Sequence, residues 1–139
     1  MTSRLTFLSH LLFVGVLCAD TANAAQQCLK YEPAVVSLSG KLVQKTFPGP
    51  PNFESVENGD RAETRYHLQL DPSICTRAAK DDDAGDHDGV SELQLVLSGP
   101  QYDAQRPKLG ARVTLSGSLF EAHSGHHHTP VLLMVREKQ

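Results

Sequence analysis

Apolar and polar residues alternate in five segments of this 139-residue chain. A period of two places the apolar side chains on one face of a β-strand, and none of the five segments has the spacing of a helix. The alternation therefore predicts five strands, within residues 34–43, 65–71, 91–99, 112–120 and 130–137.

Two of the predicted strands share a sequence pattern with glycine at its centre. VSLSGKL contains Gly40 in the first strand, and VTLSGSL contains Gly117 in the fourth. A glycine inside a strand is typical of a bulge or a sharp bend. Two bent strands favour a small closed barrel over a flat sheet.

The order of elements narrows the fold class further. Between the third and fourth strands, PQYDAQRPKLG has room for one short helix that ends at Gly110. Three strands, a short helix and two strands, with the first and fourth strands bent, predict an all-β five-stranded Greek-key barrel that resembles the oligonucleotide/oligosaccharide-binding fold. A generic β-sandwich or meander is the alternative that the same alternation allows.

The N-terminus has the pattern of an export signal. The apolar run LTFLSHLLFVGVL is too short to span a bilayer, and Ala22 and Ala24 form the small-x-small pair before a cleavage site. We expect residues 1–24 to be a signal peptide and residues 25–139 to be a single domain without a membrane anchor. A lipoprotein anchor at Cys18 is the alternative.

Cleavage after Ala24 would leave two cysteines, Cys28 and Cys75, in an oxidising compartment. We expect them to form a disulfide. They are 47 residues apart, and a loop of that length makes a disulfide worth about 4 kcal/mol in the chain-entropy treatment. Two buried thiols or a redox pair are the alternatives.

The charge balance argues against nucleic acid as a partner. The chain has 13 Lys and Arg against 16 Asp and Glu, and its basic residues are scattered singly. A protein that binds phosphates needs a basic stripe.

Four of the seven histidines fall within one short segment near the C-terminus: His123, His126, His127 and His128. Neutral imidazole is a good ligand for Zn²⁺, Cu²⁺ and Ni²⁺, and the sequence indicates no other cofactor. Strand alternation would place His126 and His128 on one side, with a turn at Gly125 returning His123 toward them. A contact with another ligand or partner, and a structural role with Thr129 capping the last strand, remain open.

The connection between the first two strands, FPGPPNFESVENGDRAET, excludes a regular helix and offers a second candidate site. Phe47 and Phe53 flank a stiff turn with Asn52 and Glu54, where the rings would anchor a ligand. The alternative is that both rings close the barrel ends. In the predicted fold this connection and the histidine segment lie on the two sides of one binding face.

Two other kinds of chemistry fit poorly. The acidic connection DDDAGDHDG does not match a calcium loop, because Ala84 and Leu95 fall where the first and last ligands belong. No nucleophile motif or close carboxylate pair indicates an enzyme, although a histidine base is conceivable.

The segments FPGPPNFESVENGD, QYDAQRPKLG and GSLFEAHSGHHHTPVLL resemble the bacterial family known as domain of unknown function 4431. The resemblance implies a small exported protein and assigns no reaction, substrate or catalytic residue. We therefore expect a monomeric periplasmic or secreted binding module that uses His123, His126, His127, His128 and Thr129 with Phe47, Asn52, Phe53 and Glu54. Its partner would be a protein or small ligand of the cell envelope. An inhibitor or immunity protein that blocks an exported hydrolase or toxin is the alternative.

Overall fold

The structure, a computed structural model, describes residues 27–137. The predicted signal peptide and the alternative anchor at Cys18 lie outside these residues. The described part contains β1 (Leu29–Lys30), β2 (Val36–Pro48), β3 (Ala62–Arg77), β4 (His87–Val96), α1 (Gly99–Gln105) with a 3-10 turn (Arg106–Lys108), β5 (Arg112–Glu121) and β6 (Val131–Val135).

Five of these strands close into a barrel. Each of β2 to β6 pairs with two neighbours in the cyclic order β3, β2, β5, β6, β4 and back to β3. The β4–β6 pair is parallel and the other four pairs are antiparallel. This order, with α1 between β4 and β5, confirms the predicted oligonucleotide/oligosaccharide-binding type of barrel. The two-residue β1, which alternation does not predict, adds in parallel to β3.

The two repeated glycines are the positions at which strands change partners. Gly40 pairs with Leu70 of β3 and Val113 of β5, and Gly117 pairs with residues of β2 and β6. A side chain at Gly40 would collide with the carbonyl oxygen of Gln69, and one at Gly117 with that of Met134. The pairing of β2 and β5 stays regular at both glycines, so they permit close approach and bending without a bulge.

The alternating apolar residues fill the barrel interior. Six leucines of the core cluster, from five strands, are at most 1% exposed: Leu42, Leu68, Leu93, Leu95, Leu119 and Leu133. The predicted short helix begins at the N-cap Ser98, whose hydroxyl accepts the Gln101 amide, and the chain turns away at Gly110 with φ of 86°. Tyr102 of this helix packs edge-on against the buried Tyr66.

The predicted disulfide is present between Cys28 and Cys75, so the alternative of two free thiols is wrong. It ties the segment before β1 to the far end of β3. Within residues 27–137, no helix has the length and hydropathy needed to cross a membrane.

Candidate functional site

The two connections that the sequence singles out are in contact at one end of the barrel. We call residues 49–61, between β2 and β3, the proline loop and residues 122–130, between β5 and β6, the histidine loop. The Phe53 ring meets the His126 ring edge-on at a centroid distance of 5.1 Å. A Cβ at Gly125 would lie 3.3 Å from the same phenyl ring. The predicted common face is therefore occupied in part by the two loops packing on each other.

Buried Asp60 holds the proline loop in shape. Its carboxylate accepts the backbone N–H groups of Asn52, Glu54 and Ser55 at 2.7–2.9 Å. These hydrogen bonds lower the pKa of Asp60, and the one from Ser55 has the largest effect on it. The loop also places Phe53 at φ of 59°, in the left-handed region. The side chains of Asn52 and Glu54 are exposed to solvent, and that of Asn52 also hydrogen-bonds to Asp60.

The histidine loop is fastened to β4 by Gln94. The Gln94 side chain donates to the carbonyl of His126 at 2.9 Å and accepts the amide of His128 at 2.7 Å. The backbone N–H of Gln94 donates to the Thr129 hydroxyl, and this hydroxyl donates to the backbone carbonyl of Val131. Thr129 is 9% exposed, so the structure places this predicted ligand-binding residue in the anchoring of the last strand.

Glu63, at the start of β3, joins two of the loop histidines. His126 Nδ1 donates to Glu63 Oε1 at 2.7 Å, and His128 Nε2 lies 3.7 Å from Glu63 Oε2. The side chains of Glu63 and His128 are each 12% exposed, whereas His126 is 48% exposed. Arg65 approaches the same carboxylate at 3.3 Å. The site therefore contains one nearly buried carboxylate between two imidazoles, with one guanidinium beside it.

Phe47 packs against His128, one of the two imidazoles beside Glu63. Its ring lies almost parallel to that of His128, with centroids 3.9 Å apart and an interplanar angle of 6°, and it also stacks on His67 at 5.3 Å. In the β2–β3 ladder Phe47 is the partner of Glu63. Phe47 thus stacks on two imidazoles of the chain itself, and its near-parallel contact fixes the plane of His128.

Burial lowers the pKa of His128, and the nearby Glu63 carboxylate opposes this shift. The Nε2 atom of His128 is enclosed and has no hydrogen-bond partner in residues 27–137. The imidazole is therefore neutral at physiological pH.

The other two histidines form a separate pair on Phe120. The rings of His123 and His127 are 4.6 Å apart and perpendicular. The His123 backbone N–H donates to His127 Nδ1 at 3.0 Å, and the His123 ring donates through Nδ1 to the Glu121 carbonyl at 3.1 Å. Burial, followed by the neighbouring imidazoles, lowers the pKa of His127. His123 consequently does not return toward His126 and His128, because its ring is held by Phe120 and Glu121.

The four histidines therefore form two pairs rather than one cluster. Among residues 27–137, the one group of three potential metal ligands whose atoms lie within 4.8 Å of each other is Cys28, Cys75 and Asp88. Both cysteines are committed to the disulfide, so this group is no metal site. His126 and His128 share a side of the loop as expected, although they precede β6 and are not part of it.

A partly buried polar network extends the site along the sheet. His67 is fully buried, and its Nδ1 lies 2.7 Å from Glu92 Oε1. Lys45 donates to both oxygens of Glu92 at 2.6 and 2.7 Å. Sequence reasoning missed Glu63, His67 and Glu92. No motif marks them, and only the strand register, which pairs Glu63 with Phe47, would have indicated Glu63.

Residues 92–138 match the family model described as domain of unknown function (DUF4431). This part of the chain is similar to the DUF4431 family. The predicted resemblance is confirmed over these residues. They include the second half of β4, all of α1, β5 and β6, and the whole histidine loop. Glu63, Phe47 and the proline loop lie outside the DUF4431 match. No curated protein and no solved structure matches the chain.

Proposed function

We propose that this protein is a binding module for a divalent transition-metal ion, Zn²⁺, Cu²⁺ or Ni²⁺, held by Glu63, His126 and His128. The observation that supports the proposal is the position of the Glu63 carboxylate between two imidazoles of the histidine loop, 2.7 Å from one and 3.7 Å from the other. The role is binding and not catalysis. The disulfide is compatible with the predicted periplasmic or secreted location.

The three groups have the right chemistry, and each imidazole lies at a suitable distance from the carboxylate, but the three ligand atoms do not all lie within 4.8 Å of one another, so binding requires the His126 ring to move. Imidazole nitrogen and carboxylate oxygen bind these ions at about 2.0–2.2 Å, so two ligands of a tetrahedral ion lie roughly 3.3 Å apart. The present distances of 2.7 and 3.7 Å lie on either side of that value. An ion would replace the proton between His126 and Glu63. Because His126 is half exposed on a loop, its ring has room for the adjustment.

Protonation states favour binding near neutral pH. The pKa of His128 is lowered by burial, so this imidazole is uncharged and its free nitrogen is available as a ligand. Metal affinity should fall in acid because protons compete for the imidazoles. Three protein ligands would leave an open coordination position for water or for a donor from another molecule.

Arg65 opposes the metal. Its guanidinium lies 3.3 Å from Glu63 Oε2 and repels a second cation at the same carboxylate. Replacing Arg65 with glutamine should therefore strengthen metal binding, whereas a purely structural role of the histidine loop predicts no change in metal affinity.

Titration calorimetry of untagged protein with ZnCl₂ and NiCl₂ tests the proposal. We expect about one equivalent bound with a dissociation constant below about 1 µM. Glu63→Gln and the double variant His126→Ala/His128→Ala should each weaken binding at least about tenfold. The matched control, His123→Ala/His127→Ala, removes the same number of imidazoles from the pair on Phe120 and should bind as the unmodified protein does. Equal losses in both double variants, or binding without fixed stoichiometry, would refute the proposal.

A further inference from the structure

A cleft in the described part of the chain lies away from the histidine loop. It has a volume of about 590 Å³ and is bounded by α1 and its 3-10 turn on one side and by β5 and the end of β6 on the other. Thr114 to Ser116 of β5 and Val135 of β6 line it. These residues lie at the ends of β5 and β6 that are farthest from the histidine loop. The volume is within the range of 300–1,000 Å³ that is usual for small-molecule sites.

Two cationic side chains line this cleft. Lys108 of the 3-10 turn and Arg136 after β6 both contribute to its wall, and within residues 27–137 neither forms an ion pair. The single acidic residue of the lining is Glu137. The rim therefore carries an excess of positive charge on a protein whose formal net charge is −3. This local excess favours an anionic group at the rim.

The side chain of Gln105 carries a buried acceptor that no hydrogen bond within the described residues satisfies. The residue is 8% exposed, it lines the cleft, and its side-chain oxygen has no hydrogen-bond partner in the described part of the chain. The neighbouring Gln101 is already committed, since its amide donates to the Val135 carbonyl at 3.0 Å. The terminal torsion of a glutamine is broad, so the Gln105 amide can turn its oxygen toward the cleft. A buried acceptor of this kind favours a ligand that brings an N–H or O–H donor.

We propose that this cleft is a second binding site, for a small amphipathic anion. The apolar body of the ligand packs on Leu115 and Val135, its anionic group faces Lys108 and Arg136, and a hydrogen-bond donor reaches Gln105. Every residue that lines the cleft falls within the DUF4431 match, whereas the proposed metal site depends on Glu63 outside it. The two sites share no residue, so either can exist without the other.

The probe 1-anilinonaphthalene-8-sulfonate has the required chemistry, because it combines apolar rings, one N–H donor and one sulfonate. We expect its fluorescence to report one saturable site on the folded protein, with a dissociation constant on the order of 10 µM. Ala104→Trp, which places a large ring in the cleft from α1, and Lys108→Glu/Arg136→Glu should each weaken binding at least about tenfold. Gln105→Leu should weaken it by a smaller factor.

The matched control is Lys41→Glu/Lys80→Glu, which makes the same change in net charge at two exposed lysines outside the cleft. It should bind the probe as the unmodified protein does. Thermal unfolding of every variant checks that the probe meets a folded protein. Saturable binding that survives Ala104→Trp, or an equal loss in the control, overturns the proposal. Glu63→Gln should leave probe binding unchanged, so failure of the metal site is distinguishable from failure of this one.

Discussion

His67 makes the stability of the protein depend on pH in a defined direction. The imidazole is fully buried on β3 and faces Glu92 of β4, Lys45 of β2 and His128 of the histidine loop. Burial lowers its pKa, although the Glu92 carboxylate at 2.7 Å acts in the opposite sense. The folded protein therefore keeps His67 neutral at pH values where the unfolded chain takes up a proton, and acid should favour unfolding.

The size of the effect follows from proton linkage. An unfolded histidine has a pKa of about 6.5, so the contribution of His67 is complete above that pH and declines as the pH falls below it. If His67 stays neutral in the folded state at pH 5.5, it lowers the free energy of unfolding by about 1.4 kcal/mol between pH 7.5 and pH 5.5. His127 and His128, whose pKa values are also lowered, contribute in the same direction.

Urea unfolding of the His67→Gln variant at pH 7.5 and pH 5.5 measures this contribution. The variant should be less stable than the unmodified protein at pH 7.5, because it disturbs the contact with Glu92. Its loss of stability on going to pH 5.5 should be smaller by up to about 1.4 kcal/mol, the value for a His67 that stays neutral in the folded state. Leu119→Ala, which destabilises the core without removing a titrating group, should keep the full pH dependence. An unchanged pH dependence in His67→Gln would refute the argument.

Three further predictions concern the scaffold. Replacing both Cys28 and Cys75 with serine should lower the free energy of unfolding by about 4 kcal/mol, measured by urea unfolding against the oxidised protein. Gly117→Ala should lower the free energy of unfolding by about 1–3 kcal/mol in the same assay, because the added Cβ would collide with the backbone carbonyl oxygen of Met134. Unchanged stability would contradict the close approach of β5 and β6. Asp60→Asn should speed hydrogen exchange at the three loop amides that this carboxylate accepts. Since the pKa of Asp60 is lowered, the unmodified loop should keep its protection above about pH 4 and lose it as the pH falls through the folded-state pKa.

The sequence predicts which segments form the candidate site, but not which of their side chains are in contact. The histidine segment and the proline-rich connection are visible as compositions, and their placement at one end of the barrel follows from the order of the strands. The division of the four histidines into two pairs is not visible, because it depends on Phe120 holding His123 and on Glu63 receiving His126. Glu63 lies 63 positions before His126 and belongs to no motif.

The sequence by itself determined the five strands of the barrel, the short helix, the two points of bending and the cysteine pair. These are local or pairwise properties: alternation follows from the period of a strand, a bend needs a residue without a side chain, and two cysteines have one partner each. Only the tertiary structure decided which polar groups meet. The register between β2 and β3 places Glu63 beside Phe47, and closure of the barrel brings both to the histidine loop. A one-residue shift of that register would turn Glu63 to the opposite face, so the site is a property of the closed barrel rather than of any single segment.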